Sequence, residues 1–369
     1  MAGLFTGMRG IAPAPSYVIM QPTSLCNLDC TYCYLPFRAE NRRMTVEVAH
    51  AVAASVNIWA EQAERFSVVW HGGEPTAAGR DALAELMAPF RGVEHHVQTN
   101  ATLIDDAWCD FIVEHGIRVG VSVDGPEELN AARVDRGARP AYPRIVEGIA
   151  ALRRRGIPFA ALCVVTRPRP GLAGPLYAYF RELGCYALGI NVEEREGVNL
   201  RDNHHPPDDV RTFWAELTGA WRADPALELR DVEWAIRYAA ALRDGTADAV
   251  LPRRIDPIPT IAYDGSVVLL SPELAGFTAP AYGDFASGNV LATPLTELVA
   301  RATEAPWIAE YLTGVEACRT SCSYFGFCGG GHAANRYFEQ GRFDTTVTEH
   351  CRNSKILLMD GVLDHAGNA

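Results

Sequence analysis

The stretch Ser16–Pro36, SYVIMQPTSLCNLDCTYCYLP, begins as a short β-rich run and passes directly into a loop carrying Cys26, Cys30 and Cys33. The run SYVIM (16–20) is too short for a helix face and is bounded by Pro15 and Pro22, so it reads as a buried strand. The same rhythm repeats downstream in FSVVW (66–70), HHVQT (95–99), IRVGVSV (117–123), FAALCVV (159–165) and YALGINV (186–192). Between these runs lie helical stretches such as VEVAHAVAASVNIWAEQ and YPRIVEGIAALRRRG. Strands that alternate with helices pair in parallel, because a parallel neighbour needs a crossover. The expected fold is α/β, a partial six-stranded (β/α) barrel with its site at the C-terminal strand ends.

From about Asp208 to Gly245 the strand pattern stops and two helices are expected, DDVRTFWAELTGAWR and LRDVEWAIRYAAALRDG, separated by the turn ADPAL. PTIAYDGSVVLLSP then reads as a hairpin about Asp264-Gly265, and Leu295 to Leu312 as short helices. The expected organisation is a barrel over 1–205, a helical bridge over 206–250 and a C-terminal domain over 251–369.

Thirty-three Lys and Arg against 45 Asp and Glu give a net charge of -12, which argues against unspecific binding to nucleic acid or anionic membrane. No apolar run reaches the roughly 18 residues of a membrane span, and Arg9, Pro13 and Pro15 interrupt the start before a signal-peptide core can form. A cytoplasmic location is expected.

Of the ten cysteines, three crowd the first loop and four, Cys318, Cys322, Cys328 and Cys351, lie near the C-terminus. In a reducing compartment such clustering points to metal. Three thiolates can hold three irons of a [4Fe-4S] cluster and leave the fourth open to a ligand. A zinc site would want a fourth ligand at finger-like spacing, and none follows. The second group has four thiolates, enough to close a [4Fe-4S] cluster or to bind zinc. At other strand ends, Gly72-Gly73-Glu74-Pro75 offers close backbone approach and an acceptor for an ammonium group. Ser122-Val-Asp124-Gly125-Pro126 puts polar side chains at another strand mouth.

The loop Cys26-Asn-Leu-Asp-Cys30-Thr-Tyr32-Cys33 resembles the CxxxCxYC hallmark of the radical S-adenosylmethionine (SAM) superfamily. The resemblance implies that Cys26, Cys30 and Cys33 hold a [4Fe-4S] cluster whose open iron chelates SAM. It also implies that Tyr32, Gly72, Gly73, Glu74, Pro75, Ser122 and Arg133 contact the cofactor, with Arg136 the rival of Arg133. The C-terminal cysteines, with Gly288-Asn289-Val290 upstream, resemble a SPASM/twitch-like iron-sulfur extension. Ser271 stands where hairpin cysteines would be and His332 replaces the last Cys of the central run, so one auxiliary [4Fe-4S] cluster is expected, on Cys318, Cys322, Cys328 and Cys351. QTNATLI, GINVEEREGVN, LLSPELAG and CGGGHAANRYFEQGRFDTTVTEHC together look like the cyclophane-forming, glycine-rich-repeat-type radical SAM/SPASM peptide maturases.

That resemblance implies oxidative crosslinking of a ribosomally made precursor peptide, aromatic ring to β-carbon, through a 5'-deoxyadenosyl radical, with a reductant such as flavodoxin or ferredoxin. The same machinery could form a thioether or another oxidised residue, or act on a small molecule. A different class is a zinc-stabilised binding protein. Some 15 residues precede the first strand, too few for a winged-helix leader-binding domain, so leader recognition is expected at the barrel rim, the bridge helices or another protein. Glu193, Glu194 and Asp264 are candidates for a base. Cys109, Cys163 and Cys185 read as core residues, and His71 as a neighbour of the cofactor or a core residue. The pairs His95-His96 and His204-His205 read as surface or turn residues.

Overall fold

The structure is a computed structural model that describes residues 10–250 and 254–367. Arg9 and the first residues after the boundary expected at 250 lie outside the described residues. Six parallel strands follow one another in space as in sequence: β1 (Tyr17–Met20), β2 (Ser67–Trp70), β3 (Glu94–Thr99), β4 (Arg118–Ser122), β5 (Phe159–Val165) and β6 (Ala187–Val192). Each agrees with its sequence expectation to within one residue at either end. The crossovers carry α1 (Val46–Gln62), α2 (Arg80–Met87), α3 (Asp106–Glu114), α4 (Tyr142–Arg154) and α5 (Ala173–Leu183). In α1 Val48, Val52, Val56 and Trp59 recur at helical spacing and are buried, so this apolar stripe packs on the sheet. Asp105 caps α3 by accepting from the Trp108 N–H at 2.8 Å.

Four short strands extend the same sheet. β7 (Glu228–Leu229) adds in parallel beside β6. On the other edge β8 (Thr260–Ile261) runs parallel to β1 and is followed by antiparallel β9 (Ser266–Val268) and β10 (Gly288–Asn289). The sequence pattern shows the β8–β9 hairpin but not that it joins the barrel sheet, which runs β10-β9-β8-β1-β2-β3-β4-β5-β6-β7. Two-residue strands carry too little periodicity to be seen in sequence.

The remaining helices are α6 (Pro207–Ala223), α7 (Arg230–Arg243), α8 (Ala247–Val250), α9 (Leu295–Ala300), α10 (Pro306–Ser321), α11 (Phe325–Cys328), α12 (Ala333–Gln340), α13 (Glu349–Cys351) and α14 (Leu357–Gly367). The chain returns at its end to the bridge. Arg211 of α6 pairs with Asp364 of α14, and the Trp214 Nε1–H donates to the Asn353 carbonyl at 2.9 Å. The crossing is close at Gly361, where a Cβ would stand 2.7 Å from the Arg211 carbonyl.

Cys109, Cys163 and Cys185 are buried, as expected of core cysteines. His95 and His205 depart from the expected surface or turn role. His95 stacks on Trp70 and its Nδ1 accepts from the Trp70 Nε1–H at 3.2 Å, while His205 is buried. Strand alternation says only that neighbours face opposite ways; His95 is covered by Trp70 and Phe90, which pack against its ring.

Candidate active site

The C-terminal ends of the parallel strands open into one cavity of about 300 Å³. Cys26, Cys30, Tyr32 and Cys33 reach it from the loop after β1, Gly73 and Glu74 from the end of β2, Thr99 and Asn100 from β3, and Ser122 from β4. Arg133 lines it from the segment after β4. Gly72 faces an adjoining cavity of about 250 Å³, and Pro75 is buried in the turn that follows. Strand ends scattered over some 100 residues are thus gathered by the parallel sheet onto one rim.

Several sequence candidates carry structural duties there. The buried Glu74 carboxylate accepts from the Thr76 N–H at 3.1 Å, the Thr76 and Thr99 hydroxyls at 2.6 Å each, and the Asn100 N–H at 2.8 Å. It therefore ties the tips of β2 and β3 together. Gly73 sits under the cysteine loop: a Cβ there would stand 2.5 Å from the Thr23 carbonyl and 2.6 Å from that of Leu25, and its φ is +61°. Only glycine tolerates both.

Arg133 and Asp124 form a buried bidentate pair at 2.9 Å for both bonds. Tyr32 donates its hydroxyl to the same Asp124 at 2.6 Å and lies under the Arg133 guanidinium. Val164 N–H completes the carboxylate's partners at 3.0 Å. Arg136 does something different: it donates to the carbonyls of Cys26 and Arg38 and braces the loop from outside the cavity. Ser122 accepts from the Gln98 side-chain amide at 2.8 Å. Gln98, Asn191, Glu196 and Glu273 also line the cavity; they lie in QTNATLI, GINVEEREGVN and LLSPELAG, segments that carry the family resemblance but single out none of the four for a role.

All three loop thiols are free, and burial raises each of them, that of Cys30 to about 11 although Arg133 opposes the shift. For Cys26 the Glu74 carboxylate adds to the effect. The protein alone thus does not support thiolates here, whereas a bound cation inverts that balance. The Leu28 N–H points at Cys26 Sγ at 3.4 Å, the kind of donor that steadies a ligating sulfur. Three half-buried thiols on one cavity wall, with free space beside them, suit a cluster that leaves one position open.

Residues 20–168 match the Radical SAM superfamily. A Synechocystis protein of uncharacterised activity, sll1766, is 30% identical over 351 residues, which cover 91% of this chain and 88% of that one. The chain belongs to the radical SAM superfamily. The serine-type anaerobic sulfatase-maturating enzyme of Klebsiella aerogenes is 31% identical over 57% of this chain and 54% of its own length. The cysteine-type enzyme of Clostridium perfringens is 32% identical over 58% and 61%. This radical SAM chain therefore spans only a little over half of the sulfatase-maturating relatives it matches. In fold it is similar to anSMEcpe with bound AdoMet (TM-score 0.72, 23% identity, 95% of this chain and 99% of that one). It is also similar to Streptococcus suis SuiB bound to the precursor peptide SuiA (TM-score 0.67, 16% identity, 92% and 76%).

Away from the radical SAM cavity, Cys318, Cys322, Cys328 and Cys351 line a third cavity of about 20 Å³ with His332, His350 and Arg336. The buried Arg336 guanidinium donates to Cys318 Sγ at 3.3 Å and to the Gly330 and Phe343 carbonyls at 2.6 and 2.9 Å. Ser271 accepts from the Ala334 N–H at 3.1 Å and so holds the start of α12. Among the described residues no three His, Cys, Asp or Glu side chains stand close enough to hold a single metal ion, and no helix is long and apolar enough to cross a membrane.

Proposed function

We propose that this radical SAM protein oxidatively crosslinks a ribosomally made precursor peptide, joining an aromatic ring to a β-carbon nearby in the same peptide to make a cyclophane. The observation that carries the reading is the cavity itself, in which three half-buried thiols border about 300 Å³ of space lined also by Ser122, Gln98 and Asn100. Cys26, Cys30 and Cys33 would hold the open [4Fe-4S] cluster. Bound there with SAM and fed by a flavodoxin- or ferredoxin-like reductant, it supplies a 5'-deoxyadenosyl radical that removes hydrogen from carbon. Gly73 lets the turn approach closely, Ser122 and Tyr32 border the bound cofactor, and Arg133 with Asp124 fixes the floor beneath it.

The adjoining cavity supports an aromatic substrate. Tyr34, Phe37, Tyr263 and Phe277 line it, and it shares Tyr34 and His71 with the cofactor cavity. The Tyr34 hydroxyl and His71 Nε2 meet at 3.0 Å in that common wall. Burial lowers His71 to about 4, so the ring is neutral at pH 7. A peptide reaching both cavities places a ring in one and a reacting carbon in the other.

Cys318, Cys322, Cys328 and Cys351 would hold an auxiliary [4Fe-4S] cluster. The four thiols line one cavity, and four thiolates suffice to close a [4Fe-4S] cluster. The sulfatase-maturating relatives and the fold likeness to SuiB bound to SuiA support a peptide substrate. A cytoplasmic site of action belongs to the same reading.

The test is anaerobic incubation of the reconstituted protein with SAM, a reductant and the precursor encoded beside it. A peptide lighter by two hydrogens, mapped to a carbon–carbon link at an aromatic residue, supports the cyclophane. A link to a cysteine sulfur would make it a thioether former, and SAM cleavage with unchanged peptide would redirect the reading to a small molecule.

A further inference from the structure

Four carboxylates, Glu193, Glu194, Glu196 and Glu273, line the same cavity as the three loop cysteines. Three of them are committed. Glu193 pairs with the Arg201 Nε at 3.2 Å and accepts from Asn199 Nδ2 at 3.3 Å. Glu194 Oε2 accepts from Asn335 Nδ2 at 2.7 Å and lies 3.1 Å from His350 Nδ1. Glu196 Oε1 accepts from the same Asn335 Nδ2 at 2.6 Å. Asp264, the remaining sequence candidate for a base, accepts from the Ser266 N–H at 3.0 Å and shapes the β8–β9 turn.

Glu273 is different. It sits on the turn Pro272–Leu274, just past β9, and its Oε2 is shut off from solvent with no hydrogen-bond partner among the described residues. A buried carboxylate oxygen left without a donor carries a free-energy cost, and native structures keep few of them. The neighbouring glutamates were given an arginine or an amide; this carboxylate is met by its own backbone N–H alone, and its Oε2 is left open on the wall of the cavity where the chemistry is proposed.

We propose that Glu273 takes the proton lost from the aromatic ring of the substrate when the crosslink is completed, an inference that rests on the crosslinking reading above. The balance is as follows. A β-carbon radical adds to the ring, forming the carbon–carbon bond and leaving an unpaired electron on the ring. The carbon–hydrogen bond at that ring position then breaks, its proton passing to the Glu273 carboxylate while the bonding pair stays in the ring. One electron leaves to a one-electron oxidant, an oxidised iron–sulfur cluster, and the ring is aromatic again.

The surroundings suit a proton acceptor. Burial lifts the Glu273 carboxyl to about 7, with the charge of Glu194 adding to the effect. A base whose proton affinity lies near the working pH is the efficient kind. The titratable groups that feel it are Glu194 and Glu196 across the cavity, Tyr17 of β1 and Tyr34 of the cysteine loop.

The experiment uses the reconstituted holoenzyme with its precursor peptide, comparing wild type, Glu273→Gln and Glu273→Asp. Glu273→Gln is expected to keep its iron, its SAM affinity, its peptide affinity and 5'-deoxyadenosine formation. Its crosslinking rate is expected to fall about 100-fold or more, the usual worth of a general base, with partial recovery in Glu273→Asp. The wild-type rate is expected to rise with pH through a limb near 7, and that limb is expected to disappear in Glu273→Gln. Independently of turnover, infrared difference titration of the protein should show a carboxylic-acid band with a midpoint near 7 that Glu273→Gln lacks. Crosslinking by Glu273→Gln at the wild-type rate, or loss of its iron or SAM binding, overturns the assignment. If wild type makes no crosslink at all, the functional reading fails and takes the assignment of this step with it; the infrared band then still reports whether Glu273 holds its proton near neutrality.

Discussion

The two cysteine groups of this chain sit in opposite surroundings. The first borders a cavity of about 300 Å³ on the barrel rim, while the second lines one of only about 20 Å³. The first receives its shape from strand ends and from a buried Tyr32–Asp124–Arg133 network that leaves the thiols themselves nearly unpartnered. The second is closed by α10, α11, α12 and α13, and a buried arginine donates directly to one sulfur. The difference teaches that the space beside the thiols, more than their number, separates the two groups: the first has room for a ligand next to it and the second has little.

The largest effect should come from breaking each group in turn. Cys30→Ala is expected to remove about four of about eight irons and abolish SAM cleavage, whereas Cys322→Ala removes a similar share of iron and leaves uncoupled SAM cleavage intact. Iron analysis and 5'-deoxyadenosine formation read both. Equal loss of SAM cleavage in the two variants would erase the distinction.

Next is the floor of the open site. Asp124→Asn leaves Arg133 buried without its carboxylate and should cost about 3 kcal/mol or more in chemical denaturation, since removing one partner of a buried pair strands the other. A loss typical of an exposed pair would show that water reaches this network.

Gly73→Ala meets two carbonyls of the cysteine loop in a left-handed backbone. About 1–3 kcal/mol of destabilisation is expected, together with weakened SAM affinity in calorimetric titration and unchanged iron at the C-terminal group. Finally, Ser271→Ala removes a buried bond to α12, worth about 1 kcal/mol, and should leave the iron content untouched. Iron loss in Ser271→Ala would mean that Ser271 sits at a cluster after all.

Much of this architecture is legible in sequence. The six barrel strands, α1 and the β8–β9 hairpin follow from periodicity and turn chemistry that each segment carries in itself. The loop from Cys26 to Cys33 is legible for the same reason, as its chemistry is concentrated in eight consecutive residues. What sequence does not carry is the identity of partners. That Glu74 spends its carboxylate on Thr76, Thr99 and Asn100 depends on β2 lying beside β3. That Arg133 meets Asp124 while Arg136 holds the loop backbone depends on how the segment after β4 folds back. Glu193 and Glu194 look like bases in the sequence, yet Arg201 folds back on Glu193 within the same loop, Asn335 and His350 reach Glu194 from distant segments, and Glu273 is distinguished by an Oε2 that lacks a donor.

The most direct test of the account is Mössbauer spectroscopy of the anaerobically reconstituted protein before and after SAM is added. Two [4Fe-4S] clusters are predicted, of which only one changes, through a single iron that gains non-sulfur ligands, and Cys322→Ala should retain that change. Spectra in which neither cluster responds to SAM, or in which the responding iron is lost with Cys322 and not with Cys30, would contradict it.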